Sequence, residues 1–303
     1  MMMKNQTNIG NEGRSLWQET VRRFRRNKKA VIGMGFLIVL IIIALITFVV
    51  DGVTGGAFYT MHVVKQDLVH KLDPPTLAEL AGILGYDEFG RSLFWRMIWG
   101  IRYSLFIGIC SVMISSSIGC VFGAVSGYYG GRLDNLIMRV MDILLSIPYM
   151  LMAIAIVSAL GPSIPNLLWS ISLPKIPSFA RICRASVMSV RDREFVEAAK
   201  SAGASDQRII LKYIMPNALA PVIVQVTMEA AKAILAIATL SYLGLGVQPP
   251  APEWGSILSS ARSYIRDSWH ITVVPGMGIM LTILAMNLFG DGLRDALDPK
   301  LKR

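Results

Sequence analysis

Apolar residues in this chain gather into long uncharged runs, not into the short alternations or narrow stripes of a water-soluble domain. The clearest run covers residues 30–50, 21 positions without a charge. As a helix it reaches ~31 Å, the thickness of a bilayer's hydrocarbon core. It is too long for the apolar part of a signal peptide, it follows a 29-residue tail, and no small-residue cleavage site comes after it. Further spans are expected near 101–128, 136–160, 163–180, 218–240 and 271–290. The fourth is interrupted by Pro165, Pro174 and Pro177, with Lys175 between the last two. Such a span is expected to be short, kinked and enclosed by its neighbours, because only they can satisfy the carbonyls that proline frees. Residues 14–27 place Leu16, Trp17, Val21 and Phe24 on one helical face and Arg22, Arg23, Arg25 and Arg26 largely on the other. That is the pattern of an amphipathic helix lying in the membrane interface. Residues 92–99 are rich in aromatics, as expected at the opposite interface.

Composition agrees with this pattern. Charged residues make up 17% and hydrophobic ones 53%, against about 25% charge in an ordinary soluble domain. The net charge of +10 would suit a nucleic-acid partner, but its placement points elsewhere. With six spans and the N-terminus inside, 21 Lys and Arg fall in cytoplasmic segments and six in outer ones. Basic residues accumulate on the cytoplasmic side of membrane proteins. The excess is therefore a topology signal. With five spans the strongly basic 181–216 loop would face outward. The expected architecture is an all-α polytopic membrane protein of six transmembrane helices preceded by an interfacial amphipathic helix. Residues 1–29 form a cytoplasmic tail and 30–290 the six-span domain. That domain has outer loops at 51–100 and 241–270 and a cytoplasmic loop at 181–216. Residues 291–303 form a second cytoplasmic tail.

Several chemistries are absent. No Gly-Lys dipeptide occurs, so there is no phosphate-binding P-loop. His62, His70 and His270 all fall in expected outer loops, so no Ser–His pair can form within the bilayer. There is no HExxH zinc motif. Cys110, Cys120 and Cys183 have neither disulfide nor metal spacing. No metal site and no catalytic residue is expected. A transporter, channel or scaffold remains.

Three constellations carry information. Ser111, Ser115, Gly119, Gly123 and Gly127 recur at every fourth position, a stripe that lets another helix approach the backbone closely. Asp142 lies within the third span, three residues after Arg139. Glu229 and Lys232 lie near the middle of the fifth, also three apart. That spacing lets Asp142 pair with Arg139, and since a charge at mid-span depth costs roughly 2.5–3.5 kcal/mol, Glu229 and Lys232 should both point inward. Both a translocation-pathway lining and a structural ion pair fit these residues. The 181–216 loop is basic but reads as folded. Residues 194–203 form a helix ending at Gly203, and Ser205 or Asp206 can cap a second short helix reaching Pro216. Ala198, Ala199 and Ala202 would suit a partner's groove.

Glu197-Ala198-Ala199, then Gly203 and Pro216, resembles the EAA loop of ABC-importer permeases. Tyr213 and Met215 stand where that pattern usually has Ile and Leu. Longer stretches, among them LGYDEFGRS, YYGGRLDNLIMRVMDILLSIP and YLGLGVQPPAPEWG, are similar to the second permease subunit of dipeptide and oligopeptide importers. Tyr86 and Ser92 depart from that subunit's outer-loop motif, and the run Pro174-Lys175-Ile176-Pro177 replaces a more aromatic one. The resemblance covers residues 15–302. It implies half of a heterodimeric pore in the cytoplasmic membrane, paired with a homologous permease subunit and surrounded by lipid. It also implies two ATPase subunits carrying ATP and Mg, and an extracytoplasmic substrate-binding protein. In that setting Glu197, Ala198, Ala199, Gly203 and Pro216 couple the permease to ATP hydrolysis, and no cofactor is bound by this chain itself. The implied cargo is a di- or oligopeptide. A nickel chelate or glutathione-like solute is the alternative within the class, and an ATP-independent secondary transporter the alternative outside it. Such a transporter would need an ion-coupling site and often an internal repeat, and neither is present.

Overall fold

A computed structural model describes residues 16–297, with side chains from Thr20 onward. Among the described residues there is no strand, only an isolated bridge between Tyr86 and Ser92. The chain opens with α1 (Leu16–Arg26) and α2 (Lys28–Thr54), separated at Asn27, whose side chain caps the second helix by accepting from the Ala30 N–H at 3.3 Å. Phe24 is buried and meets Phe289 edge-on at 5.6 Å, so α1 is fastened to the protein by at least this residue. The side chains of Leu16 and Trp17, half of the expected apolar face, lie outside the described residues. Val21, from the same face, is exposed.

Among the described residues four helices are long and apolar enough to cross a membrane: α2, α3 (Leu93–Tyr129), α10 (Met215–Tyr242, continuous with the short segment before it) and α12 (His270–Leu297), which follows the short helix α11 (Trp254–Ser260). They contain the first, second, fifth and sixth expected spans. The third expected span is broken. α4 (Gly131–Leu145) and α5 (Tyr149–Leu160) meet at an angle of 82° around residues 146–148. Pro148 explains the break, because a residue before proline is pushed out of helical conformation. The fourth is broken too, as its prolines imply: α6 (Ile164–Ser172), a 3-10 turn at Leu173–Lys175, and α7 (Ile176–Met188). Pro165 and Pro177 sit in the first turn of their helices, where the missing N–H costs no bond. Leu167, Ile171, Phe179, Ala180 and Cys183 are fully buried, which places this segment at the centre of the bundle.

Three boundaries differ from expectation. Residues 92–99 are not a separate surface segment. Ser92 caps α3, and those aromatics are its first turns. The helix has 37 residues, ~55 Å, and outruns the membrane. α7 runs past Ala180 to Met188, so the 181–216 loop begins inside a helix. The second short helix of that loop is not separate. Its first turn, α9 (Asp206–Arg208), passes through a π-helical stretch at Ile209–Ile214 straight into α10.

Two polar knots hold together the end of the bundle where α2 finishes and α3 begins. Arg102 ion-pairs with Asp51, which also accepts from the Trp99 indole at 3.1 Å, and the guanidinium lies over Tyr103, Phe48 and Tyr59 at 5.1, 5.3 and 5.4 Å. This pins α2 to α3. In the other knot Asp87 accepts from the Phe89 and Arg91 backbone N–H groups at 2.9 Å and pairs with the Arg91 and Arg96 side chains at 2.7 and 3.3 Å. Gly90 closes it with φ +69°, where an added Cβ would lie 1.7 Å from the Asp67 carbonyl oxygen. Buried His270, at the start of α12, anchors the loop through the Tyr86 carbonyl at 3.1 Å.

Candidate functional site

The loop that follows α7 folds into α8 (Glu194–Ser201). The helix ends as its sequence demands. Gly203 has φ +77°, its N–H donates to the Lys200 carbonyl at 2.9 Å, and the Ala204 N–H donates to the Ala199 carbonyl at 3.1 Å. This pair of bonds is the Schellman stop, which places glycine in a left-handed conformation. Val196 and Ala199 point into the bundle, Ala199 being 7% exposed. Glu197, Ala198 and Ala202 point out, together with Phe195, which is 40% exposed. Of Ala198, Ala199 and Ala202, expected to suit a partner's groove, Ala199 is thus withdrawn. Adjacent helical residues are about 100° apart, so an inward Ala199 turns Ala198 outward. The outward apolar stripe is Phe195, Ala198 and Ala202, and Phe195 was not foreseen. Its spacing to Ala198 and Ala202 along the helix was the available signal.

Pro216 is the second residue of α10, directly after the π-helical stretch. A proline cannot donate to the carbonyl four residues earlier and crowds it. Widening the turn accommodates this: the Met215 N–H donates to Ile210, five residues back, and the Asn217 side chain donates to the Tyr213 carbonyl at 2.7 Å. Tyr128, at the end of α3, donates to Asp206 at 2.7 Å and lies beneath Lys200 at 5.5 Å. Arg191 donates to the Gly127 carbonyl at 2.9 Å. Arg184 grips Asp134 of α4 through two bonds of 2.6 Å. The loop is therefore tied to α3 and, through α7, to α4.

Gly119, Gly123 and Gly127 face α7. A Cβ added at Gly119 would lie 2.8 Å from the Ile176 carbonyl oxygen, one at Gly123 2.4 Å from that of Ala180, and one at Gly127 2.9 Å from that of Arg184. Further along, the Ser172 hydroxyl donates to the Ser111 carbonyl at 2.9 Å. Backbone meets backbone along this seam.

The charged residues expected at membrane depth separate into two groups. Asp142 pairs with Arg181 of α7 at 2.6 Å and not with Arg139. Both partners are about half exposed, so this is an open cross-helix contact. Glu229 is enclosed. One of its oxygens pairs with Lys175. The other accepts from Lys232 at 2.8 Å and Gln225 at 3.2 Å. Lys175 and Glu229 side chains are each 9% exposed, whereas that of Lys232 is 62% exposed. The Tyr149 ring covers the Lys175 ammonium at 4.8 Å. Sequence spacing suggests only the local pair with Lys232. Lys175 reaches Glu229 because the 3-10 turn between α6 and α7 falls beside the middle of α10, a tertiary fact. Its signal in sequence was a lone lysine among prolines within a span. Among the described residues no cluster of His, Cys, Asp and Glu could hold a metal ion.

Comparison with known proteins matches this architecture. Residues 119–303 fit the family described as "binding-protein-dependent transport system inner membrane component", and residues 15–75 fit the "N-terminal TM domain of oligopeptide transport permease C". A di/tripeptide transport system permease protein DppC of Pseudomonas aeruginosa is 43% identical over 95% of this chain and 92% of its own length. A dipeptide transport system permease protein DppC of Haemophilus influenzae is 42% identical over 92% and 93%. A glutathione transport system permease protein GsiD of Pectobacterium atrosepticum is 39% identical over 95% and 93%. Among solved structures, the MetNI methionine ABC transporter in inward-facing conformations has a chain that superposes with a TM-score of 0.55 at 17% identity, covering 68% of this chain and 98% of that one. That likeness concerns the fold. The chain belongs to the family of binding-protein-dependent transport system inner membrane components, among the relatives of oligopeptide transport permease C.

Proposed function

We infer that this chain is one permease half of an ATP-driven importer that moves di- and oligopeptides across the cytoplasmic membrane. It spans the membrane six times, counting α4–α5 and α6–α7 as one broken span each, with both termini in the cytoplasm. It pairs with a homologous permease subunit. Two ATPase subunits dock on α8 and its counterpart, and a substrate-binding protein delivers cargo to the outer loops. ATP is hydrolysed on the partners, and the coupled motion rocks the bundles around a central route. Glu229 and Lys232 line that route. Asp142, paired in the open with Arg181, stands at its margin.

One observation carries this reading: a short helix at the bundle end, stopped by Gly203, presents Phe195, Ala198 and Ala202 outward while Val196 and Ala199 lock it to the core. A linker needs no such face. Peptide cargo rests on the names of the DppC relatives. Affinity purification from native membranes in mild detergent tests the assembly. ATPases and a second permease should accompany the chain; recovery of the chain alone, even after crosslinking, would revive the secondary-transporter reading.

A further inference from the structure

We propose that the Lys175–Glu229–Lys232 cluster is a receptor for the carboxylate end of the peptide, with Lys232 as the contacting group and Lys175 as its positioning residue. The inference rests on the peptide-importer reading above. Two ammonium groups share one carboxylate, so the cluster carries a formal charge of +1. The surplus cannot sit on Lys175, whose side chain is enclosed and capped by the Tyr149 ring. It sits on Lys232, whose side chain is 62% exposed. An ammonium has three donors. The Glu229 bond is the contact Lys232 makes within the cluster, which leaves donors free for a ligand.

The surroundings of Lys232 indicate what it faces. Gln225, Lys232 and Thr239 follow one another two turns apart on α10, and none of them is buried. Residues at that spacing share a face. The Gln225 amide donates to Glu229 and the Thr239 hydroxyl to the Leu235 carbonyl, so the Lys232 ammonium is the group on this face that lipid does not suit: ionisable groups within a membrane face a protein partner or a wet cavity. An unneutralised cation in such a cavity attracts an anion and repels a cation. Of the two ends of a peptide it therefore selects the carboxylate and disfavours the amino terminus. Lys175 makes this selection one-sided. Without it, Glu229 and Lys232 would neutralise each other.

The test uses the whole importer, co-purified with its partners and reconstituted into liposomes. Uptake of trialanine and of its C-terminal amide is measured with both saturating, so that capture by the binding protein does not limit either. The wild type should favour the free carboxylate by up to about five-fold, as for one solvent-accessible ion pair. Lys232→Gln should bring the ratio to about one. Lys175→Met, with no net charge left at the cluster, should do the same although Lys232 is untouched. The double variant Lys175→Met/Glu229→Leu restores the surplus charge and should restore the preference. A purely structural cluster would lower both uptakes together and leave the ratio unmoved. A wild-type ratio of one, or a ratio unchanged in Lys232→Gln, would overturn the proposal. A wild type that moved neither peptide would instead remove the peptide-importer reading beneath it.

Discussion

Gly203 holds a φ of +77° in open space, where an added Cβ would meet nothing within 4 Å. Its constraint is therefore conformational and not steric. A side chain in the left-handed region costs about 1–2 kcal/mol, less for asparagine. Gly203→Val should fray the end of α8 and lower the peptide transported per ATP hydrolysed, while Gly203→Asn should retain most of it. Equal coupling in both variants and the wild type would show that this stop is immaterial. A second residue-scale expectation concerns pH. The Asp67 carboxylate, hydrogen-bonded to His70 at 3.0 Å, raises the His70 pKa above its ordinary 6.5. The folded state thus favours the protonated ring. The contact contributes below the unfolded pKa and is lost as pH rises through the folded one. NMR titration of the His70 ring should show a raised midpoint that Asp67→Asn returns toward normal. Gly203 was legible in sequence because a left-handed stop has few alternatives to glycine. Lys175 was not, because its partner lies 54 positions away and only the bundle's geometry joins them.

At the scale of elements, the α3–α7 seam should tolerate no side chain. Gly123→Ala would place its Cβ 2.4 Å from the Ala180 carbonyl oxygen, and backbone must move to relieve it. Overpacking of this kind costs roughly 1–3 kcal/mol. Gly35→Ala on α2, where a Cβ meets nothing within 4 Å, should be neutral or stabilising by about 0.5–1 kcal/mol. Thermal unfolding in detergent separates the two, and equal melting temperatures would contradict the seam. The stripe was readable from its spacing, but the helix that it meets was not. Long apolar runs gave away α2, α3, α10 and α12. The 82° break between α4 and α5 escaped because hydropathy averages across it. The continuity of α9 with α10 escaped because Pro216 reads as a boundary when neighbouring turns are assumed to be α-helical. A π-helical turn absorbs the proline instead.

Across the whole molecule, the enclosed Lys175–Glu229 pair joins the central broken segment to α10. Glu229→Leu leaves a buried ammonium with no carboxylate beside it, which should destabilise the protein by about 3–5 kcal/mol. Lys175→Met/Glu229→Leu should recover most of that loss, as melting temperatures of the purified assembly would show. An unrecovered double variant would mean that the pair acts through packing and not charge. Charge bias along the chain carries the proposed topology, and the EAA spacing carries the proposed docking loop. The face that the loop presents became visible only once Ala199 was seen to point inward. The most direct measurement is site-specific photocrosslinking in native membranes, with the reactive side chain placed at position 198 or at position 199. Outward position 198 should capture an ATPase subunit, and inward position 199 should not. Capture from neither position, or equally from both, would contradict the account of α8 as the surface on which ATP hydrolysis acts.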